Sequence, residues 1–131
     1  MELSAAQRER YERNLLVEGF TDRMQQALIA ARVAVVGAGG LGSAALNYLV
    51  AAGVGHLTLI ENDTVSLSNL QRQVLYTTAD MGRPKAEVAA MRLSRLNPGC
   101  DIRVVTDRLT AANAAGLLGG HDAVVDCTDN Y

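Results

Sequence analysis

The stretch Val33-Ala-Val-Val-Gly-Ala-Gly-Gly-Leu-Gly-Ser43 determines how the rest of the chain is interpreted. Its first four residues are apolar and mostly β-branched, as in a strand that is buried on both faces. Gly37, Gly39 and Gly42 then give the G-x-G-x-x-G spacing, with Gly40 inside it. Such glycines allow a tight turn, a close approach of backbone to phosphate, and packing of a helix on the strand. The stretch predicts a strand, a glycine turn and a helix whose positive end faces an anion, with a turn that binds nothing as the alternative.

Length and composition restrict the chain to a few protein classes. Its 131 residues suffice for one domain with a real core, and 49% of them are hydrophobic while 4% are aromatic. A core of Ala, Val and Leu is common in α/β proteins. The net charge of −2, with both signs mixed along the chain, indicates neither a nucleic-acid nor a membrane partner. Because a signal peptide, a long apolar run and a cysteine framework are absent from the sequence, we expect a cytoplasmic protein.

Apolar periodicity and turn residues predict two helices followed by alternating strands and helices. The helices are expected over about 5–17, 22–31, 41–52, 84–96 and 110–118, and the strands over about 32–36, 56–61, 101–106 and 122–126. We expect Thr21 and Thr110 to cap the second and the last helix. The first helix has a narrow apolar side, so we expect it to pack outside the strand–helix core.

Alternation of strands and helices predicts parallel pairing through right-handed crossovers. We expect the spatial order 3-2-1-4, a Rossmann-like, doubly wound α/β sheet with an incomplete second half. An N-terminal helical segment (1–31) would precede the nucleotide-binding domain (32–131). Ligands of such sheets bind at the carboxyl ends of the strands, which brings the glycine turn and Asp126-Cys-Thr-Asp129 to one crevice. Because strand 4 is an open edge close to Tyr131, we expect a piece of a longer protein or a chain completed by a partner.

Three further stretches supply polar residues for a nucleotide. Glu61 closes the second predicted strand, where an acid hydrogen-bonds a ribose, although a solvated acid is also common there; Asp63 follows in a turn. Residues 64–79 are irregular or briefly helical, and a helix would project Asn69 and Arg72 to the same side. Lys85 lies in a predicted first helical turn, where the dipole disfavours a cation unless an anion is near. Two cations suit a triphosphate, but spacing alone is equally compatible with a solvated Arg72.

Five motifs occur together: Arg10-Tyr-x-Arg13, Gly37-Ala-Gly-Gly-Leu-Gly42, Ser66-Leu-Ser-Asn-Leu-Gln-Arg-Gln73, Pro84-Lys85 and Asp126-Cys-Thr-Asp-Asn130. In combination they resemble the ThiF/MoeB/HesA family, the bacterial relatives of ubiquitin-activating enzymes, and the resemblance covers nearly the whole chain. It implies an adenylyltransferase that uses Mg-ATP. The implied substrate is the C-terminal glycine carboxylate of a small ubiquitin-like sulfur-carrier protein, and the implied by-product is pyrophosphate.

The resemblance also implies a role for each motif residue. The glycine turn would lie near the α-phosphate and the ribose. Glu61 would bind the ribose hydroxyls, where most relatives have Asp, and Asp63 is the second acid of that motif. The phosphates would be held by Asn69, Arg72 and Lys85.

Two residues are assigned by the resemblance alone. Asp129 would hold Mg²⁺, and Arg13 would reach the γ-phosphate in the neighbouring subunit of a homodimer. Without the resemblance, Arg13 is interpreted as a solvated helix residue. Zn²⁺ would be bound only if a further C-terminal region supplied Cys-x-x-Cys pairs, which this sequence lacks. Cys127 is interpreted as a small buried residue and Cys100 as incidental.

Two other classes of protein stay open. A NAD- or FAD-binding oxidoreductase domain would explain the glycine turn and Glu61 but not the two cations or Asp129. A non-catalytic dimerisation or docking module would show no nucleotide binding. We expect the chain by itself to bind nucleotide weakly and not to complete a catalytic cycle.

Overall fold

A four-stranded parallel sheet forms the centre of the computed structural model, which describes residues 2–128. The strands are β1 (Arg32–Val36), β2 (His56–Ile60), β3 (Asp101–Val105) and β4 (Ala123–Asp126). Their spatial order is β3-β2-β1-β4, and each neighbouring pair is parallel. The predicted order and the predicted strand directions are therefore confirmed.

Helices connect these strands and precede the first of them. In the described part of the chain they are α1 (Ala5–Arg10), α2 (Glu12–Leu15), α3 (Asp22–Ala30), α4 (Gly40–Ala52), α5 (Lys85–Leu96) and α6 (Ala114–Leu118). Two short 3₁₀-helices, Leu67–Asn69 and Thr78–Asp80, lie in the β2–α5 connection, which comprises residues 61–84. Within residues 2–128, no helix is long and apolar enough to cross a bilayer.

The two faces of the sheet are covered by different helices, because successive strand residues point to opposite sides. One face presents Val35 and Leu59 to a core shared with α4 and α5. The other face presents Val36, Ile60 and Val105, which pack against the β3–α6 loop and α6. The helices thus cover the faces and leave the carboxyl ends of the strands to the loops.

Several predicted helix boundaries are confirmed and others are wrong. Thr21 accepts a hydrogen bond from the Met24 N–H and caps α3, as predicted. Thr110 does not cap α6, because its backbone N–H and hydroxyl exchange hydrogen bonds with Asn113 in a separate turn, so α6 begins only at Ala114. The first predicted helix is interrupted at Tyr11, where the backbone leaves the helical conformation (φ −102°, ψ 16°).

The expectation that the first helix packs outside the core is also wrong. The Tyr11 ring is buried, and its hydroxyl accepts a hydrogen bond (2.8 Å) from the Asn97 side chain. Asn14 from α2 donates to the Ala52 carbonyl at the end of α4 (3.0 Å). Because the last carbonyls of a helix need partners outside it, the end of α4 anchors the N-terminal helices to the body.

Candidate functional site

A cavity of about 870 Å³ opens at the carboxyl ends of the strands. Its walls come from the glycine turn after β1, the β2–α5 connection, the start of α5, the loop after β3 and the two residues after β4. These elements are distant in sequence, and the parallel sheet brings their ends together. A second cavity, of about 290 Å³, lies at the opposite ends of the strands.

The larger cavity collects most of the site residues proposed from the sequence. Those lining it are Gly37, Gly39, Gly40, Glu61, Asp63, Asn69, Arg72 and Lys85. Gly42 is buried behind the wall, and Arg13 is exposed on α2 and does not line the cavity. Asp129 lies outside the described residues, while Thr128 immediately before it in sequence lines the cavity.

Backbone crowding requires glycine at two positions of the turn. Gly37 has φ +98°, and a Cβ there would lie 2.8 Å from the Cys127 carbonyl oxygen. A Cβ on Gly42 would lie 2.1 Å from the Gly37 carbonyl oxygen, far inside contact distance. Gly39 precedes α4, and no side chain caps this end of the helix. The first N–H groups of α4 are therefore available to an anion in the cavity.

Glu61 joins the end of β2 to the glycine turn. Its Oε1 accepts a hydrogen bond from the Ala38 N–H (3.1 Å), and its Oε2 accepts one from the Asn62 N–H (3.1 Å). A carboxylate has further acceptor sites on both oxygens, so these bonds leave it able to accept from a ligand hydroxyl.

Two of the cations that line the cavity, Arg72 and Lys85, come from different elements. The Arg72 side chain runs past Gly40, within 3.6–3.8 Å of where a Cβ would stand, and its Nη1 donates to the Ser68 carbonyl (3.3 Å). The Lys85 side chain is buried, with its Nζ 3.6 Å from the Asp63 Oδ2. That distance is an ion pair but exceeds hydrogen-bond length, so the ammonium group has donors to offer a second anion.

Asp80 fastens the β2–α5 connection to α5. Its buried carboxylate accepts hydrogen bonds from the Thr77 N–H (2.8 Å) and hydroxyl (2.9 Å) and from the Arg92 Nη2 (2.8 Å). Burial acts to raise the pKa of Asp80, but the Thr77 hydrogen bonds and the Arg92 charge outweigh it and lower that pKa below 3.8. This network holds in place the connection that presents Asn69 and Arg72 to the cavity.

Sequence reasoning missed several wall residues. They are Asn62, Gln73, Asp107, Arg108, Leu109 and Thr128. Polar residues after β3 could have been found by the same rule that selected Glu61, because the ends of β2 and β3 are neighbours. The Gln73 side chain gave no such signal, although it is buried against Gly39 with its carbonyl oxygen unpaired.

The two cysteines differ in position but share a low reactivity. Burial raises the pKa of the Cys100 thiol to about 11 and also raises that of Cys127, which lines the cavity. Both side chains therefore stay protonated at neutral pH, and a thiol is a poor nucleophile. Among the described residues, no group of three or more His, Cys, Asp or Glu converges as metal ligands would.

Comparison with known proteins gives consistent matches over this chain. The ThiF family model matches residues 11–131. The chain is 51% identical over 129 residues to a molybdopterin-synthase adenylyltransferase of Escherichia coli, covering 98% of this chain and 52% of that protein. It is 50% identical over 123 residues to a sulfur carrier protein adenylyltransferase of Thermus thermophilus, covering 94% of this chain and 45% of that protein.

A solved structure with the same fold contains a nucleotide. It is the Escherichia coli tRNA N6-threonylcarbamoyladenosine dehydratase in complex with ATP, which is 35% identical and superposes with a TM-score of 0.91. The match covers 99% of this chain and 53% of that one. The chain thus spans about half the length of these relatives.

Proposed function

This chain belongs to the ThiF family, and we propose that its large cavity binds Mg-ATP for the adenylation of a protein carboxylate. The acceptor would be the C-terminal glycine of a small ubiquitin-like sulfur-carrier protein, and pyrophosphate would leave. The observation that carries the proposal is the convergence of Arg72 and Lys85 with the glycine turn and Glu61 on one cavity. The names of the two adenylyltransferase relatives and the ATP in a structural neighbour support it.

The reaction requires mainly electrostatic help from the protein. A carboxylate that attacks the α-phosphate brings two anions together, and negative charge builds on the departing pyrophosphate. The α4 N–H groups would orient the α-phosphate, while Arg72 and Lys85 would neutralise the outer phosphates. Asn69 would donate to them as well. Since the attacking group belongs to the substrate, the protein needs no nucleophile of its own.

The acidic residues of the cavity have separate proposed roles. Glu61 would accept the ribose hydroxyls through lone pairs that its two backbone bonds leave free. Asp63 would hold Lys85 in position through their ion pair.

Carboxylates line the cavity in which a magnesium ion would accompany the nucleotide. Its lining includes the carboxylates of Glu61, Asp63 and Asp107, and carboxylate oxygens together with substrate phosphates are the ligands that Mg²⁺ prefers. We propose that Asp129 holds the ion, because Thr128 beside it in sequence lines the cavity. When bound, Mg²⁺ would neutralise charge on the phosphates.

A homodimer would complete the site. Arg13 is exposed on α2 and does not line the cavity of its own chain. Close to it in sequence, Leu16 and Val17 are 68% and 60% exposed, so an apolar surface adjoins the charge. We propose that a second copy covers this surface and that Arg13 reaches the γ-phosphate held by that copy. A cytoplasmic setting, with both cysteines free, is part of the same proposal.

Removal of one cation tests the function. Arg72→Ala should leave the free energy of unfolding within about 0.5 kcal/mol, because this surface side chain makes one weak hydrogen bond. It should lower ATP–pyrophosphate exchange, measured with a Gly-Gly-ending sulfur carrier, by about 10²–10³-fold. Lys85→Ala should lose exchange similarly, and Arg95→Ala, an exposed arginine on α5, serves as the matched control. Near-wild-type exchange in Arg72→Ala or Lys85→Ala would rule out the assigned roles.

A further inference from the structure

Ala38, in the middle of the glycine turn, is held from both sides by side chains of other elements. Its N–H donates to the Glu61 Oε1 (3.1 Å), and its carbonyl oxygen accepts a hydrogen bond from the Tyr76 hydroxyl (2.6 Å). The Ser43 hydroxyl approaches the same carbonyl oxygen at 3.5 Å. Ala38 itself is fully buried, and Tyr76 is 4% exposed.

These two hydrogen bonds fix two successive peptide planes. The peptide bonds of the described residues are trans, so the N–H of each peptide points opposite its carbonyl. Because the Ala38 carbonyl points to the buried Tyr76 hydroxyl, the Gly39 N–H in the same peptide points away from it. Gly39 lines the cavity and immediately precedes α4, at the end of the helix that would receive a phosphate. The bond from Tyr76 would therefore orient an amide that is available to an anion.

Burial keeps the Tyr76 hydroxyl a donor. Burial and, to a smaller extent, the nearby Glu61 carboxylate raise the pKa of Tyr76, so its proton stays on at neutral pH. The hydroxyl belongs to the β2–α5 connection, the same connection that carries Asn69 and Arg72. The glycine turn is thus joined directly to the connection that would hold the outer phosphates.

We propose that Tyr76 and Glu61 form a clamp on Ala38 that positions the glycine turn for the α-phosphate. The proposal rests on the proposed function and adds a positioning role that the family motifs do not assign to Tyr76. It also gives a physical reason for Glu instead of Asp at position 61, since the extra methylene lets the carboxylate reach the Ala38 N–H from the end of β2. A shorter Asp side chain would keep the charge but lose that reach.

Two conservative variants test the clamp. Tyr76→Phe keeps the ring and removes the hydroxyl, and Glu61→Asp keeps the charge and removes the reach. Tyr76→Phe should raise KM for Mg-ATP in the exchange reaction by about tenfold, the effect of one lost positioning hydrogen bond, while kcat stays within about twofold. Glu61→Asp should raise KM at least as much, because Glu61 is also the proposed ligand of the ribose. Tyr48→Phe, on a tyrosine that is 77% exposed, is the control and should change neither constant.

The double variant separates a shared clamp from two unrelated defects. Because both side chains act through Ala38, Tyr76→Phe with Glu61→Asp should raise KM by little more than the larger single effect. Multiplied effects, or a fall in melting temperature with KM unchanged, would overturn the clamp.

Amide hydrogen exchange separates the clamp from the proposed function. In the nucleotide-free protein, the Ala38 amide should exchange about tenfold faster in either variant than in wild type. Unchanged exchange at Ala38 would contradict the clamp whether or not the wild type binds ATP. Faster exchange in a protein that does not bind Mg-ATP would keep the clamp and reject the proposed function.

Discussion

The two ends of α4 differ in what pairs with the backbone groups that have no partner inside the helix. At the carboxyl end, the Ala52 carbonyl accepts hydrogen bonds from Asn14 and Gln25, and the Val50 carbonyl accepts one from Asn97. At the amino end, no side chain caps the helix, and Gly39 and Gly40 line the large cavity. One end is therefore closed by amide side chains, while the other is open to a ligand.

We propose that this helix serves stability at its carboxyl end and nucleotide binding at its amino end. Hydrogen bonds formed inside the protein contribute about 1 kcal/mol each, and a buried group that loses its partner costs more. Amides that stay unpaired at an open helix end contribute nothing to folding but attract a phosphate. Substitutions at the carboxyl end should thus change stability, and those on the cavity side should change nucleotide affinity.

Gly42→Ala should give the largest effect, and it tests the amino end of α4. The new methyl group would overlap the Gly37 carbonyl oxygen, so the turn must move away from α4. We expect a loss of about 3 kcal/mol in the free energy of unfolding by urea, together with loss of Mg-ATP binding. Gly116→Ala in α6, where a Cβ meets nothing within 4 Å, is the control and should not destabilise the protein.

Asn97→Ala should affect the carboxyl end alone. The Asn97 side chain is buried and donates to the Tyr11 hydroxyl and to the Val50 carbonyl near the end of α4, so its loss removes two hydrogen bonds from the protein interior. We expect about 2–3 kcal/mol of lost stability in urea unfolding with an unchanged Kd for Mg-ATP. The control is Asn47→Ala, at a partly exposed residue of α4. A weakened affinity in Asn97→Ala would show that the two ends are not independent.

Acid titration gives the smallest effect and concerns the connection that faces the amino end of α4. The pKa of Asp80 is lower in the folded protein than the ordinary value of 3.8, so the carboxylate stabilises the fold above that pH. This contribution disappears as the pH falls through the folded pKa. Urea unfolding between pH 6 and pH 3 should show a shallower decline for Asp80→Asn than for wild type. Parallel declines would exclude Asp80 as a source of acid sensitivity.

The sequence predicted those parts of the molecule that depend on local patterns. The strand before Gly37, the parallel order of the strands and the cap at Thr21 follow from spacing and turn chemistry, and all were confirmed. The cap at Thr110 failed, because a local turn with Asn113 competed with the helix.

Contacts between distant residues could not be predicted in this way. Tyr76 reaches Ala38 across 38 positions, and Asn97 reaches Tyr11 across 86, with no periodic signal to mark either pair. The convergence of Glu61, Arg72 and Lys85 could be predicted from the sequence, because a parallel sheet gathers the carboxyl ends of its strands. Their individual roles came from the family motifs, and they stay proposals.

Separate calorimetric titrations of Mg-ATP and NAD into wild-type protein and Arg72→Ala test the central claim most directly. We expect Mg-ATP to bind more tightly than NAD, and Arg72→Ala to weaken Mg-ATP binding by about tenfold, as for a lost charged hydrogen-bonding partner, with Arg95→Ala unchanged. Preferential binding of NAD, or equal Mg-ATP affinity in Arg72→Ala and wild type, would contradict a triphosphate site at the open end of α4.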